Sequence, residues 1–219
     1  YSRSPSASPA RRCDLPAVWC PSMVRRMSDG DPLSLECRTG LPVDLLRLLE
    51  TYPRETWAGH DNIHGLSSMW LQRHDMFRDI GGMLTTAIAD YREGRNDARA
   101  FAGLFAPRLE FFLGQLNGHH QVEDMHYFPI FARAESRLKR GFDILDKDHQ
   151  LIHEALELNA ETANAFLRAL GGDDDRRRFA ADAYAVQNER LVTMLARHLD
   201  DEAGLDVPPI LDRGEFWLG

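Results

Sequence analysis

Four segments of the chain carry histidines and glutamates at spacings that suit a metal site. Three of the segments hold two such residues four positions apart, and the fourth holds a single histidine. They are His119 with Glu123, His149 with His153, His198 with Glu202, and His74 alone. Residues four apart lie on one face of an α-helix, one turn above the other. Four helices could therefore surround one site with these seven side chains.

The donor set indicates which metals such a site would hold. Five neutral imidazoles and two carboxylates suit two divalent ions, because the glutamates cancel two of the four charges and a bridging hydroxide, oxide or bound anion removes more. Glu123 and Glu202 each have two oxygens and could bridge ions about 3.5 Å apart. Nitrogen and oxygen ligands without thiolate favour iron, manganese or zinc. The excess of imidazole over the carboxylate-rich ferritin-type pattern favours iron.

The segments that must position these residues all predict α-helices. Long helices are expected over residues 61–91, from 96 or 97 past Glu123, over 139–170 and over 173–202, and a short amphipathic helix over 42–53. No strand-like alternation occurs in the sequence, so the predicted class is all-α, an up-down-up-down four-helix bundle with a short extra N-terminal helix. At about 1.5 Å rise per residue, the predicted lengths bring the seven side chains to one end of the bundle.

The sequence outside these helices predicts three further regions. Residues 1–40 are rich in Ser, Pro, Arg and Gly and are expected to be mobile, and residues 41–59 form the short helix and a connection that packs on the bundle. The bundle itself spans residues 60–205. Residues 206–219 form a C-terminal tail, with Phe216 and Trp217 as candidates for packing back on the bundle.

Composition excludes several classes of partner. A net charge of −8 and a pI near 5.6 argue against nucleic-acid and anionic-membrane binding. No stretch approaches the roughly 20 apolar residues that span a bilayer. Cys13, Cys20 and Cys37 precede the predicted helices and have no zinc-ribbon spacing, so we expect surface thiols in a reducing compartment. These observations predict a cytoplasmic protein.

The combined pattern resembles the hemerythrin-like (HHE cation-binding) family over about residues 60–205. This resemblance implies a hemerythrin-type bundle with two iron ions, bridged by carboxylate and by oxide or hydroxide. It implies one ion on three histidines, the other on two histidines with an open position, and two bridging glutamates. The three histidines would be His149, His153 and His198, and the two would be His74 and His119. The bridging residues would be Glu123 and Glu202.

One departure from the family bears on function. Oxygen-carrying members place an Asp five residues after the last ligand His, where this chain has Ala203. Glu202 instead matches the regulatory and stress-linked members, which argues against simple oxygen transport. The leading hypothesis is a non-haem di-iron protein that binds or senses oxygen, nitric oxide or hydrogen peroxide at an open iron position, with the redox partner left open. The alternatives are a di-iron enzyme of peroxide breakdown or redox repair, and a helical metal-binding module with zinc.

The remaining histidines receive weaker roles. His126 lies seven residues after His119 and is either an extra ligand or a residue at the rim. His120 is expected to point away from the seam of the bundle. His60 and His64 are expected to have capping or surface roles.

Overall fold

The computed structural model describes residues 31–216, and those from Pro32 onward belong to one compact unit. The described chain is helical and contains no strand, which confirms the all-α class. Its five α-helices are α1 (Gly65–Arg92), α2 (Ala98–Val122), α3 (Phe128–Ala134), α4 (Lys139–Ala169) and α5 (Asp174–Arg213). Short 3₁₀ segments lie at Arg47–Glu50, Arg54–Gly59 and Ser136–Leu138, and a π-helical segment at Glu123–Tyr127 joins α2 to α3.

Local chemistry explains several helix ends. The backbone N–H of Ala100 donates to Asp97 Oδ1 at 2.8 Å, so Asp97 caps α2 as the sequence indicates. Asp173 caps α5 in the same way, accepting from the N–H of Arg176 at 2.8 Å. After α1, Gly94 adopts a left-handed φ of 74°, which a residue with a side chain rarely does.

Helix α5 is longer than the sequence predicts. Gly204 was the expected stop, yet the helix continues through Pro208 and Pro209 to Arg213. A Cβ on Gly204 would meet the Leu46 side chain at 3.0 Å, so this glycine permits close packing instead of ending the helix. Because every residue from 201 to 211 is buried, tertiary packing outweighs the local cost of the prolines. Pro107 likewise lies inside α2 without interrupting it.

The predicted C-terminal tail and N-terminal segment also differ from expectation. Phe216 is 97% exposed and does not pack on the bundle, while Trp217 lies outside the described residues. Of residues 1–40, predicted to be mobile, 1–30, with Cys13 and Cys20, lie outside the described residues. Among residues 31–40 the structure buries Leu35 and Arg38. The short helix expected over 42–53 is only a 3₁₀ turn at Arg47–Glu50, since so short a segment gains little from helix formation.

The four long helices pack as a bundle around an aromatic core. Helix α1 contacts α2 and α5, and α4 contacts the same two helices. At one level of the bundle the rings of Phe101, Phe105, Phe166 and Tyr184 pack on one another, with Phe101 and Phe105 stacked at 4.7 Å. The histidines singled out by sequence lie at a different level. No helix of the described chain is both long and apolar enough to cross a membrane.

Candidate metal centre

Seven buried side chains from the long helices and the π segment form two groups of potential metal donors. His74 lies on α1, His119 and His120 end α2, Glu123 begins the π segment, His149 lies on α4, and His198 and Glu202 lie on α5. The carboxylate group consists of His74, His119, Glu123 and Glu202, and the imidazole group of His120, His149 and His198. Within each group the donor atoms lie within 4.8 Å of one another.

The two glutamates join these groups. Glu123 Oε1 lies 2.9 Å from His119 Nε2, and its Oε2 lies 3.5 Å from His149 Nε2. Glu202 Oε2 lies 3.4 Å from His74 Nε2 and 3.5 Å from His198 Nε2. Each carboxylate therefore reaches an imidazole of both groups, as bridging ligands of a two-metal centre do.

Several buried polar atoms at this centre form no hydrogen bond of acceptable geometry, even where, as for His119 Nε2 and Glu123 Oε1, they lie 2.9 Å apart. They are His74 Nδ1 and Nε2, His119 Nε2, His120 Nε2, both carboxylate oxygens of Glu123, and Glu202 Oε2. Well over nine-tenths of buried polar groups in proteins have a partner, because leaving one unpaired costs about 1–3 kcal/mol. Metal ions would bind the carboxylate oxygens and those imidazole nitrogens that carry no proton. The donor set therefore fits a cation site.

Carboxylates outside the two groups fix the orientation of two imidazoles. The Nδ1–H of His149 donates to Asp124 Oδ1 at 2.6 Å, and that of His198 donates to Asp148 Oδ2 at 3.3 Å. The two Nε2 atoms then present lone pairs to each other at 3.0 Å. Such lone pairs repel unless a cation lies beside both, and two nitrogens about 2.1 Å from one ion are about 3 Å apart when they bind at right angles.

Burial favours the neutral, metal-binding form of three of the imidazoles. It lowers the pKa of His119 to about 3, lowers that of His120 well below its ordinary value, and also lowers that of His198. Neutral imidazole is the ligating form, so these rings need not lose a proton when an ion binds.

The two glutamates have opposite pKa shifts. Burial and the neighbouring Glu202 raise the pKa of Glu123 well above its ordinary value. Burial alone would raise the pKa of Glu202 too, but the imidazoles of His74 and His198 lower it well below that value. A cation at the centre would compete with a proton for the Glu123 carboxylate.

Aromatic side chains form the walls of the centre. The Trp70 indole N–H donates to Glu202 Oε1 at 2.7 Å, which leaves Oε2 facing the histidines. The rings of Phe77 and His119 lie 5.2 Å apart, and those of Phe128 and His149 also 5.2 Å apart. These walls keep the donors out of water and hold their rings in place.

The structure does not bring His153 into the centre. Its side chain is 58% exposed and its Nε2 lies 3.3 Å from Glu157 Oε1 on the same helix. Each residue of an α-helix advances about 100° around the helix axis. Viewed down the axis of α4, the centre of the buried face lies about 60° to one side of His149. A step of four residues turns a further 40° or so away from that centre, so His153 lies on the outer surface. The prediction for this residue needs correction.

His120 takes the place expected of His153. The prediction that it points away from the seam is wrong, since it is buried and its ring stacks on His149 at 4.0 Å with an interplanar angle of 10°. The centre of the buried stripe of α2 runs between His119 and His120, so both rings face inward. That stripe, traced through Phe105, Leu109 and Leu116, is the sequence signal that could have identified His120.

The other histidines lie outside the centre. His126 is exposed, with its ring against Tyr127, which removes it from the candidate ligands. His64 occupies the N-cap position of α1 and its side chain is 57% exposed, while His60 Nδ1 accepts from the backbone N–H of Asn62 at 3.2 Å. Sequence reasoning did not identify Asp124, which contacts the centre through His149.

Comparison with known proteins gives one family. The model of the hemerythrin HHE cation binding domain matches residues 65–210, a range that contains all seven buried donors. No curated protein and no solved structure matches the chain.

Proposed function

This chain belongs to the hemerythrin HHE cation-binding family, and we propose that it is a non-haem di-iron protein that binds a small diatomic or peroxide ligand. The observation that carries the proposal is the pair of donor groups joined by Glu123 and Glu202, in which several buried polar atoms form no hydrogen bond. Nitrogen and oxygen donors without thiolate suit iron, and manganese or zinc would use the same atoms.

We assign the donors to two ions by the groups in which they lie. His120, His149 and His198 would hold one ion, and His74 with His119 would hold the other. Glu123 and Glu202 would be shared between them, as their distances to both groups allow. The ion with two imidazoles would have fewer protein ligands, which would leave it a position for oxygen, nitric oxide or peroxide. A pair of irons supplies electrons to such ligands, and the protein supplies the dry and oriented surroundings.

The placement of the donors along their helices supports an up-down-up-down arrangement. His74 lies in the first half of α1 and His149 in the first half of α4, whereas His119 and His198 lie in the later parts of α2 and α5. Side chains at these positions share one level only if the chain direction alternates from helix to helix. Such alternation is the arrangement of the hemerythrin bundle.

The residue at position 203 supports a role other than simple oxygen transport. Ala203 is buried in an apolar cluster with Trp57, Val207 and Leu211, so no carboxylate lies there. The last helix therefore contributes Glu202, one residue earlier, and its oxygen Oε1 is held by Trp70. We propose sensing of the ligand, or reaction with it, as the role of the open position.

Metal analysis and an optical spectrum of aerobically purified protein test the proposal. We expect about two irons per chain and near-ultraviolet charge-transfer bands from an oxo-bridged pair, and nitric oxide or peroxide should change those bands. One metal or fewer per chain, or a colourless zinc protein, would contradict the di-iron assignment. Steady turnover of hydrogen peroxide would show that the centre is an enzyme.

A matched pair of histidine variants tests the ligands. His120→Gln should lower the iron content toward one per chain, because it removes a donor of the imidazole group. His153→Gln, four residues from His149 on the outer surface, should leave two irons and an unchanged spectrum. The reverse result would restore the ligand set predicted from the sequence.

A further inference from the structure

The N-terminal segment inserts one charged side chain into the bundle beside the candidate metal centre. Arg38 is 4% exposed, and its guanidinium contacts two acidic residues of the bundle. Its Nε donates to Asp201 Oδ2 at 2.8 Å, and its Nη1 and Nη2 donate to the two oxygens of Asp148, the first at 2.7 Å. Nη1 also donates to the carbonyl of Leu33 at 2.9 Å, which ties the guanidinium to its own segment.

Asp148 connects this guanidinium to the donors. Its Oδ2 accepts from Arg38 and also lies 3.3 Å from His198 Nδ1. Two parallel N–H···O bonds from an arginine fix the plane of a carboxylate as well as its position. The Asp148 oxygen that His198 contacts is therefore held in place by a residue 110 positions earlier in the chain than Asp148. His198 is left with Nε2 facing His149 and Glu202.

Charge explains why an arginine is needed at this place. Asp148 and Asp201 are both buried: Asp201 directly precedes Glu202 in the chain, and Asp148 contacts His198 of a centre that already holds two glutamates. Burial alone would raise the pKa of Asp148, but the hydrogen bond from Arg38 lowers it below its ordinary value. Without Arg38, the two buried carboxylates would lose the positive charge that compensates them, which is unfavourable in a medium of low polarity.

We propose that Arg38 is a positioning residue of the metal centre, which acts through Asp148 to orient His198 toward the ion it binds. The inference rests on the proposed function. Arg38 lies outside residues 65–210, so the family domain alone does not contain it. The N-terminal segment is therefore part of the centre and not only a cover on the bundle.

Other contacts of the same segment provide a matched control. Glu36 and Arg190 form an ion pair in which both side chains are nearly half exposed, and neither touches a donor. Arg190→Gln removes one arginine and one link between segment and bundle, as Arg38→Gln does, but leaves Asp148 in place. A purely structural role of Arg38 would make the two variants differ in stability alone.

Anaerobic titration of the metal-free full chain with ferrous iron, in competition with a coloured chelator, is the first measurement. Arg38→Gln should weaken binding of one of the two irons by about 10–100-fold, the usual effect of losing a residue that orients a ligand. Arg38→Lys keeps the charge but cannot make the paired bonds, and should show a smaller loss in the same ion. Arg190→Gln should bind both irons as the unmodified protein does.

A second measurement needs no metal. The imidazole nitrogen NMR signals of the metal-free protein should show His198 with its proton on Nδ1, and Arg38→Lys should give a mixture of the two tautomers. A folded Arg38→Lys variant with unchanged iron affinities and an unchanged His198 tautomer would overturn the inference, even if Arg38→Gln failed to fold. If the unmodified protein bound no iron, the proposed function would fail, while the tautomer measurement would still decide the action of Arg38 on His198.

Discussion

The two donor groups differ in how firmly their histidines are held. In the imidazole group, His149 and His198 each donate from Nδ1 to a carboxylate, Asp124 or Asp148. In the carboxylate group, neither nitrogen of His74 has a hydrogen-bond partner. A ligand oriented in advance loses less entropy when the metal binds. We therefore expect one ion to bind tightly to the imidazole group, whose histidines are already oriented. The other ion should bind more weakly to the carboxylate group, whose His74 it must itself orient.

Removing one histidine from each group should have the largest effect. His198→Ala should leave no iron bound after gel filtration, because it removes a donor of the tightly binding imidazole group and the other iron lies in the weaker site. His74→Ala should keep one tightly bound iron and lose the response to nitric oxide. Metal analysis after gel filtration measures both outcomes. Equal losses in the two variants would show that the groups do not differ.

The carboxylate that holds His149 should have the next largest effect. Asp124→Asn keeps an oxygen that can accept the Nδ1–H bond of His149 but removes the negative charge. It should weaken the affinity of the imidazole group for iron by about 10–100-fold. The same change at Glu157, written Glu157→Gln, removes a carboxylate that faces only the exposed His153 and is the matched control. Competition titration measures the iron affinities of both variants. Unchanged binding in Asp124→Asn would contradict the proposal that the histidines of the imidazole group are oriented before the metal binds.

Lowering the pH should destabilise the metal-free protein, an effect smaller than those expected of the variants above. His120 and His198 in one group and His119 in the other have lowered pKa values in the fold, while unfolded histidines titrate near 6.5. Below that pH the unfolded chain binds more protons than the folded one, so stability falls as pH falls from about 6.5 toward 3. The raised pKa values of Glu123 and Asp206 have the opposite sign, since these groups stabilise the folded chain relative to the unfolded chain as pH falls, and they offset part of the loss from the three histidines. The net loss should therefore come mainly from the imidazole group.

Thermal melts of metal-free protein at pH 7, 6 and 5 measure this effect. We expect the melting temperature to fall by at least about 5 °C over that range, given that 1 kcal/mol shifts a domain of this size by about 2–4 °C. His153→Gln should give the same slope, because that side chain is exposed in the fold. A melting temperature independent of pH would show that the buried imidazoles do not govern stability.

The sequence predicted the donor types, the helices that carry them and most helix starts, since these depend on local spacing and capping. It did not distinguish His120 from His153, because that choice depends on where the centre of each buried stripe faces once the helices pack. Nor could it find Arg38, whose partners Asp148 and Asp201 lie more than a hundred residues away in the chain. The end of α5 was predicted wrongly for the same reason. The sequence does not distinguish a glycine such as Gly204, which lets Leu46 pack closely, from a glycine that ends a helix.

The π segment at Glu123–Tyr127 has a consequence for the evolution and redesign of this protein. A π turn holds about one residue more than an α turn, so it offsets the faces of the helix before and after it by roughly 100°. His119 and His120 before the offset belong to the two donor groups, whereas Phe128 and Phe131 after it pack with Leu41 and Leu45, and Phe128 also lies against His149. Deleting a single residue here would restore regular α geometry and turn that aromatic pair out of register, so insertions and deletions should be tolerated far less than substitutions at this point.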